Sequence, residues 1–305
     1  MKRQVFFLLL FLLMGMSGCG TKEDNETESY MIGIAIKSTG SEYWMSVQSG
    51  IEKAAQDYGV KVRMVSPDDE IDSSMQSKMI CDLIHSGVDA LAVSPIRSDE
   101  ADYLEEAQKA GIPVYAFDTK ILDDDIPYIG IDNEKAGKIL AEEMARQLGG
   151  KGNVGIISGS LDQTAHLERV DSIRKYLEEN TEIKVSFIES GYANVLMTET
   201  EIAGLLQEYP QIDGIFVTSA STALGLAEYM ENEPVKIMTI DTQQDAIEAL
   251  KRGKIAALAT QPGYEIGYET IRYITEQKTK LPDKGNGLII GTELLNSENI
   301  ETREE

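Results

Sequence analysis

The chain has 305 residues, 42% hydrophobic and 26% charged, which suits one or two globular domains with full cores. It carries 28 Lys and Arg against 52 Asp and Glu, a formal charge of −24. That balance argues against nucleic acid and anionic membrane surfaces as partners and, more weakly, against an anionic ligand.

The first nineteen residues read as a leader, not as part of the fold. Lys2 and Arg3 precede an apolar run from Val5 to Met14 that is too short to span a bilayer securely. The segment ends Met16-Ser17-Gly18-Cys19. Small residues followed by Cys resemble a bacterial lipobox, in which the Cys is diacylated and becomes the mature N-terminus. The usual Leu is replaced here by Met. The other reading is an ordinary cleaved signal with an incidental Cys. Residues 20–30 are polar and acidic with no apolar periodicity, and read as a tether. With Cys19 assigned to lipid, Cys81 is left alone, so there is no intramolecular disulfide framework; its apolar helical setting reads as a buried, inert thiol.

Ile32 to Ile36 is a β-branched run that reads as a buried parallel strand. It breaks at the turn Ser38-Thr39-Gly40-Ser41, and the adjacent aromatics Tyr43 and Trp44 follow ahead of a helical pattern that Gly59 stops. Strands are then predicted at 60–65, 89–93, 112–117 and 128–131, with helices near 75–84 and 99–110. After Asp132-Asn133 the alternation restarts. Helices are expected near 134–148, 165–177, 199–208, 223–230 and 246–250, and strands at 154–157, 184–188, 214–217, 236–240 and 255–259. A helix over 266–275 and a last strand over 287–290 follow Gln261-Pro262.

Repeated β-α alternation predicts parallel sheets with helices on both faces, and the restart at Asp132-Asn133 makes two of them. The expected division is 31–132 plus 263–288 for the N-terminal lobe and 133–262 plus 289–300 for the C-terminal lobe. Ligands in such folds sit beyond the carboxyl ends of the strands. Tyr43 and Trp44 are therefore read as a stacking wall, against the alternative of helix-entry packing. Asp118 and Asp241, each at a strand end, are read as ligand acceptors, against the alternative of helix N-caps. Lys37 is either a contact or a solvated lysine. His85 and His166 have no partner at metal spacing, and the run Asp123-Asp124-Asp125 lacks the rest of a calcium loop. No nucleophile elbow, Walker A loop, H-E-x-x-H or G-x-G-x-x-G motif is present, which disfavours an enzyme; no cofactor or metal is expected.

In order and spacing, the segments KSTGSEYWMSVQSG, SGVDALAVSP, AGIPVYAFDTK, IGIDNEKAGK, IDGIFVTSASTALG, IMTIDTQQDAIEALKRGKIAALATQP and GYEIGYETI resemble the type I periplasmic binding proteins. These include the ribose- and galactose-binding components of ABC transporters, and the resemblance covers Met31 to about Leu295. It implies an α/β fold of two Rossmann-like lobes joined by a multi-strand hinge. It also implies a monomeric receptor, lipid-anchored outside the cytoplasm, that binds a monosaccharide or related polyol for an ABC permease. The alternative is a co-receptor of the same fold working with a sensor kinase, or one binding autoinducer-2. In the ribose-like branch the aromatic pair would sandwich the sugar, while Asp118, Asp241 and Gln261 would accept or donate to hydroxyls. Thr119 and Leu167 stand where that branch carries Arg, and Ser219 where it carries Asn, which puts ribose itself in doubt. Lys37, Asp118, Asp162 and Gln163 look like positions of the autoinducer-2 branch, whose Pro and Ala would fall at Ser219 and Ser221. Ser41, Tyr43, Trp44 and Thr119 complete the expected site. A cytoplasmic repressor of similar fold would need an N-terminal helix-turn-helix, and none is present.

Overall fold

The computed structural model describes residues 29–192, 197–230, 233–278, 285 and 287–301. The leader, most of the tether and Cys19 lie outside the described residues.

The first half runs β1 (Met31–Ala35), α1 (Glu42–Tyr58), β2 (Lys61–Val65), α2 (Ser73–His85), β3 (Ala90–Val93), α3 (Tyr103–Ala110), β4 (Val114–Phe117) and β5 (Tyr128–Ile131). The second runs α4 (Asn133–Leu148), β6 (Lys151–Ser158), α5 (Thr164–Asn180), β7 (Glu182–Ser190), α6 (Glu199–Glu208), β8 (Gly214–Val217), α7 (Ala220–Tyr229), β9 (Lys236–Ile240), α8 (Gln244–Lys251) and β10 (Ala257–Ala259). The chain then returns through α9 (Gly263–Gln277) to β11 (Leu288–Ile290), and ends with β12 (Leu294–Asn296).

Two six-stranded sheets result, in the orders β11-β5-β4-β3-β1-β2 and β12-β10-β9-β8-β6-β7. They match place for place. Every pairing is parallel except β10 with β12. The central strands β3, β4, β8 and β9 are apolar and buried on both faces, as helices on either side of a parallel sheet demand. The edge strands β2 (KVRMV) and β7 (EIKVSFIES) differ, with Lys61 and Arg63 exposed on the first and Glu182 and Lys184 on the second.

Helix α9 returns to the first lobe against α1. Two glycines permit the approach: a Cβ on Gly50 would lie 2.0 Å from the Tyr264 carbonyl oxygen, and one on Gly267 would lie 2.1 Å from that of Val47. The aromatics expected on a loop, Tyr43 and Trp44, instead occupy the first turn of α1. Ser41 caps that turn, its Oγ accepting from the Trp44 N–H at 3.2 Å.

Three features depart from the sequence expectation. Helix α3 starts at Tyr103, because residues 94–102 form a loop whose Ser98 pairs with the second lobe. The last crossover lies between Ile290 and Leu294, since Ile289 and Ile290 pair with β5 in the first sheet. Finally, β12 closes the second sheet antiparallel to β10, with Leu294 opposite Ala259.

Candidate functional site

The carboxyl ends of both sheets face one cleft, which has an empty volume of ≈ 440 Å³. Its walls come from both lobes.

Asp118, directly after β4, is the hub of the first wall. Its backbone is left-handed, with φ of 61°, a conformation Asp tolerates better than most residues. Oδ1 accepts from the Tyr43 hydroxyl at 2.6 Å and from Gln261 Nε2 at 3.0 Å. Oδ2 accepts from Ser94 Oγ at 2.9 Å and Thr119 Oγ1 at 3.0 Å, and pairs with Lys37 Nζ at 3.0 Å. Burial pushes its pKa up, but the Lys37 charge and the Tyr43 and Lys37 hydrogen bonds outweigh that and hold it at about 2. Asp118 is thus an ionised carboxylate inside a protein and caps no helix; Asp132 fills that role for α4.

Lys37 follows β1 and is buried, not solvated. Besides the Asp118 pair it donates to Thr119 Oγ1 at 2.6 Å and to Gln163 Oε1 at 2.7 Å. An ammonium has three protons. Those three partners use them all, and one of the three comes from the other lobe.

The second wall is organised by Arg169 on α5. Its Nε donates to Asn133 Oδ1 at 2.8 Å, one Nη to the Thr218 carbonyl at 2.9 Å and the other to Gln261 Oε1 at 2.8 Å. Gln261, after β10, passes the chain on by donating to the Tyr43 hydroxyl at 3.0 Å. His166 sits one turn before Arg169, with Nδ1 2.8 Å from Thr218 Oγ1. Burial and the neighbouring Arg169 and Lys37 charges push its pKa well below the usual imidazole value, so it is neutral.

Asp241 follows β9 as Asp118 follows β4, and it too has a positive φ, 111°. It does not cap α8, whose cap is Gln243; instead Oδ2 accepts from the Ala220 N–H at 3.1 Å, at the start of α7. Among the described residues Oδ1 accepts nothing. Burial raises its pKa to about 7, Arg169 and the Ala220 N–H opposing, and Asp118 and Glu70 adding to the rise.

Of the residues expected from sequence, Lys37, Ser41, Tyr43, Trp44, Asp118, Thr119, Ser219, Asp241 and Gln261 line this cleft. Gln163 stands behind Lys37 without lining it. Asp162 is not among the residues lining the cleft: half of its side chain is exposed, and it pairs with Arg97 Nη1 at 2.6 Å across the lobe boundary. The aromatic pair is not two parallel plates. The rings of Tyr43 and Trp44 meet edge to face at 73°, Trp44 packs edge-on to Phe117, and Tyr43 offers its hydroxyl. Cys81 is half-buried on α2.

Sequence reasoning missed Glu70, Ala165, His166, Arg169, Thr218 and Gln243 as lining residues, and named Ser221 only as a family position. A signal existed for two of them. His166 and Arg169 are three apart on the apolar face of α5 with Ala165, Val170 and Ile173, while Leu167 points outward.

The profile of the family described as "Periplasmic binding protein domain" matches residues 32–280. The ribose import binding protein of Bacillus subtilis is 27% identical over 281 residues, covering 88% of this chain and 90% of that protein. The D-ribose/D-allose-binding protein of Pseudomonas aeruginosa is 26% identical, covering 77% of each. Among solved structures, a solute binding protein of Actinobacillus succinogenes with bound D-allose superposes with a TM-score of 0.80 at 23% identity, covering 89% of this chain and 99% of that one. A protein named XylFII, solved in a XylFII-LytSN complex, superposes with a TM-score of 0.77 at 25% identity, covering 88% and 98%.

Proposed function

This chain belongs to the periplasmic binding protein family, in its type I, ribose- and galactose-binding kind, and we propose that it is a receptor outside the cytoplasm that captures a hydroxylated small molecule for an ABC permease. The observation that carries this reading is the composition of the cleft. Tyr43, Asp118, Ser219, Asp241 and Gln261 converge from both lobes on one small cavity. Such groups suit hydroxyls, while Trp44 offers an apolar surface to C–H faces. His166 is committed to Thr218 and Asp118 to five donors, so neither is free to act as a base. Family members named for their ligands are ribose-, allose- and xylitol-binding proteins.

Capture works by closure. Three segments connect the lobes, at 131–133, 259–263 and 290–294. A ligand that contacts both walls favours the closed arrangement because only that arrangement completes its contacts. Lobe-to-lobe hydrogen bonds such as Lys37 to Gln163 and Tyr43 to Gln261 are the protein's own part of that closure. The lipobox reading of Cys19 anchors the receptor to the membrane. A second reading keeps the site and changes the partner: the XylFII-LytSN complex is an instance of this fold assembled with another protein, and a co-receptor role for this chain follows that pattern.

The test is a thermal-shift and calorimetric screen of monosaccharides and polyols, with analysis of the recovered ligand. A ligand that binds only the native state raises Tm. Saturable binding with ligand recovered unchanged is expected, with a change in the emission of Trp44, the single Trp of the chain. Recovery of a chemically altered ligand would falsify the receptor reading.

A further inference from the structure

The charges around the cleft are unevenly spent, and that bears on the class of ligand. The inner cavity is lined by two cations, Lys37 and Arg169, and three carboxylates, Glu70, Asp118 and Asp241. Lys37 has given all three protons to Thr119, Gln163 and Asp118. Arg169 has given one from each nitrogen to Asn133, Thr218 and Gln261, leaving two that suit hydroxyl oxygens. Asp118 is saturated by its own donors. Asp241 is different. It is 93% buried (7% exposed), it lines the cavity, and its Oδ1 has no donor among the described residues.

The mouth repeats the bias. An outer hollow shares Ser41, Glu70, Ser221 and Gln243 with the inner cavity, so the two are one passage. Among the described residues it is lined by the carboxylates Glu42, Asp68, Asp69, Glu70 and Asp245, and by no Lys, Arg or His. Its walls come from both lobes: Asp68 and Asp69 from the loop after β2, Glu42 from α1, and Asp245 from α8. A passage lined by one sign of charge concentrates ligands of the opposite sign and speeds their entry. A neutral sugar gains nothing from it, and an anion is repelled.

Building on the receptor reading, we propose that the ligand is a polyol carrying a protonated amine, an amino sugar or amino alditol, with its ammonium against Asp241 and its hydroxyls on the two remaining Arg169 protons. The ammonium supplies the donor that Asp241 Oδ1 lacks, and the acidic passage steers it inward. A charge-assisted hydrogen bond of this kind corresponds to about ten- to a hundredfold in affinity.

The experiment uses matched pairs in calorimetry on the purified protein: D-glucosamine with D-glucose, D-galactosamine with D-galactose, and D-glucamine with D-sorbitol, with D-glucuronate as the anionic control. The expected result is that the tightest binder carries an amine and binds about ten- to a hundredfold more tightly than its neutral partner. Asp241→Asn, which keeps an acceptor for the Ala220 N–H, should erase the difference. A second variant avoids the buried site: Asp68→Asn with Asp69→Asn, both exposed, should slow association of the amine several-fold at low salt and not at high salt, read by stopped-flow Trp44 emission. If neutral members bind as tightly as their amine partners, the amine proposal is overturned and the receptor reading stands. If no member of the panel binds at millimolar concentration, both are overturned.

Discussion

Replacing Asp118 separates its structural work from its binding work, because its partners are of two kinds. Four are neutral donors, Tyr43, Ser94, Thr119 and Gln261; the fifth is the buried Lys37 ammonium at 3.0 Å. Asp118→Asn keeps the side-chain shape and tolerates the φ of 61°, but removes the charge that Lys37 faces. The charge component follows from the pKa. A carboxyl at about 2 when folded and 3.8 when unfolded contributes roughly 2 kcal/mol. Asp118→Ala removes the acceptors as well and puts a β-carbon residue at positive φ without local compensation. Breaking a buried pair this way costs roughly 3–5 kcal/mol.

Asp118→Asn should therefore lose about 2 kcal/mol in urea unfolding followed by circular dichroism, and Asp118→Ala about 3–5 kcal/mol. In a Lys37→Met background the Asp118→Asn loss should shrink by at least about 1 kcal/mol, as expected for residues in contact. The pH dependence has a fixed sign. The folded pKa is depressed, so the contribution is present above about pH 4 and is lost as pH falls toward 2. Additive losses in the Lys37→Met background, within about 0.5 kcal/mol, would refute the claim that this ion pair is the centre of the cleft.

Three further outcomes are expected. Asp241 has the opposite linkage: its folded pKa is raised from 3.8 to about 7, so ligand-free stability falls as pH rises through that window, and Asp241→Asn should raise Tm at pH 7.5 and flatten the profile. A lower Tm for that variant at pH 7.5 contradicts the assignment; the upper bound on the gain is about 4 kcal/mol. Asp162→Ala breaks an exposed pair with Arg97 and should cost under about 1 kcal/mol of stability with ligand affinity unchanged, so a large affinity loss by calorimetry would return Asp162 to the site. Cys19→Ala should leave the protein unprocessed or released from the membrane fraction, and unchanged fractionation and mature mass count against the lipid anchor.

Much of the fold was legible because the strands are short runs of Ile, Val and Ala between turn residues, a pattern that buried parallel strands require. β8, spanning Gly214–Val217, falls where the pattern put it. β12 was invisible. Three residues, Leu294–Asn296, carry no period, and the strand exists only because β10 offers an edge. In the site, Asp118 and Asp241 were legible from their place at strand ends. Their roles were not, since N-capping by Asp after a strand is the commoner local arrangement and a positive φ has no sequence signature in Asp. Asp162 and Gln163 show the limit most sharply. They are neighbours in sequence, yet one bonds Arg97 at the surface and the other Lys37 in the interior. The loop between β6 and α5 decides which residue turns inward, and composition says nothing about that turn.

The two sheets place Asp118 and Asp241 at equivalent points, each after the third strand in its sheet's order, each at positive φ, each aimed at the same cleft. Duplicated topology therefore supplies duplicated carboxylates. What differs is their company. The first lobe answers its carboxylate with Lys37 at 3.0 Å; the second answers with one backbone N–H at 3.1 Å and a more distant Arg169 field. The consequence is a depressed pKa on one side and a raised one on the other, from the same residue type in the same backbone setting. An ionised, satisfied Asp118 is a fixed part of the wall. Asp241 still lacks a donor, so differences between ligands are felt most strongly there. Discrimination in this cleft therefore resides on the second lobe, and substitutions at Asp241 should change which ligand is preferred where those at Asp118 change whether the cleft is intact.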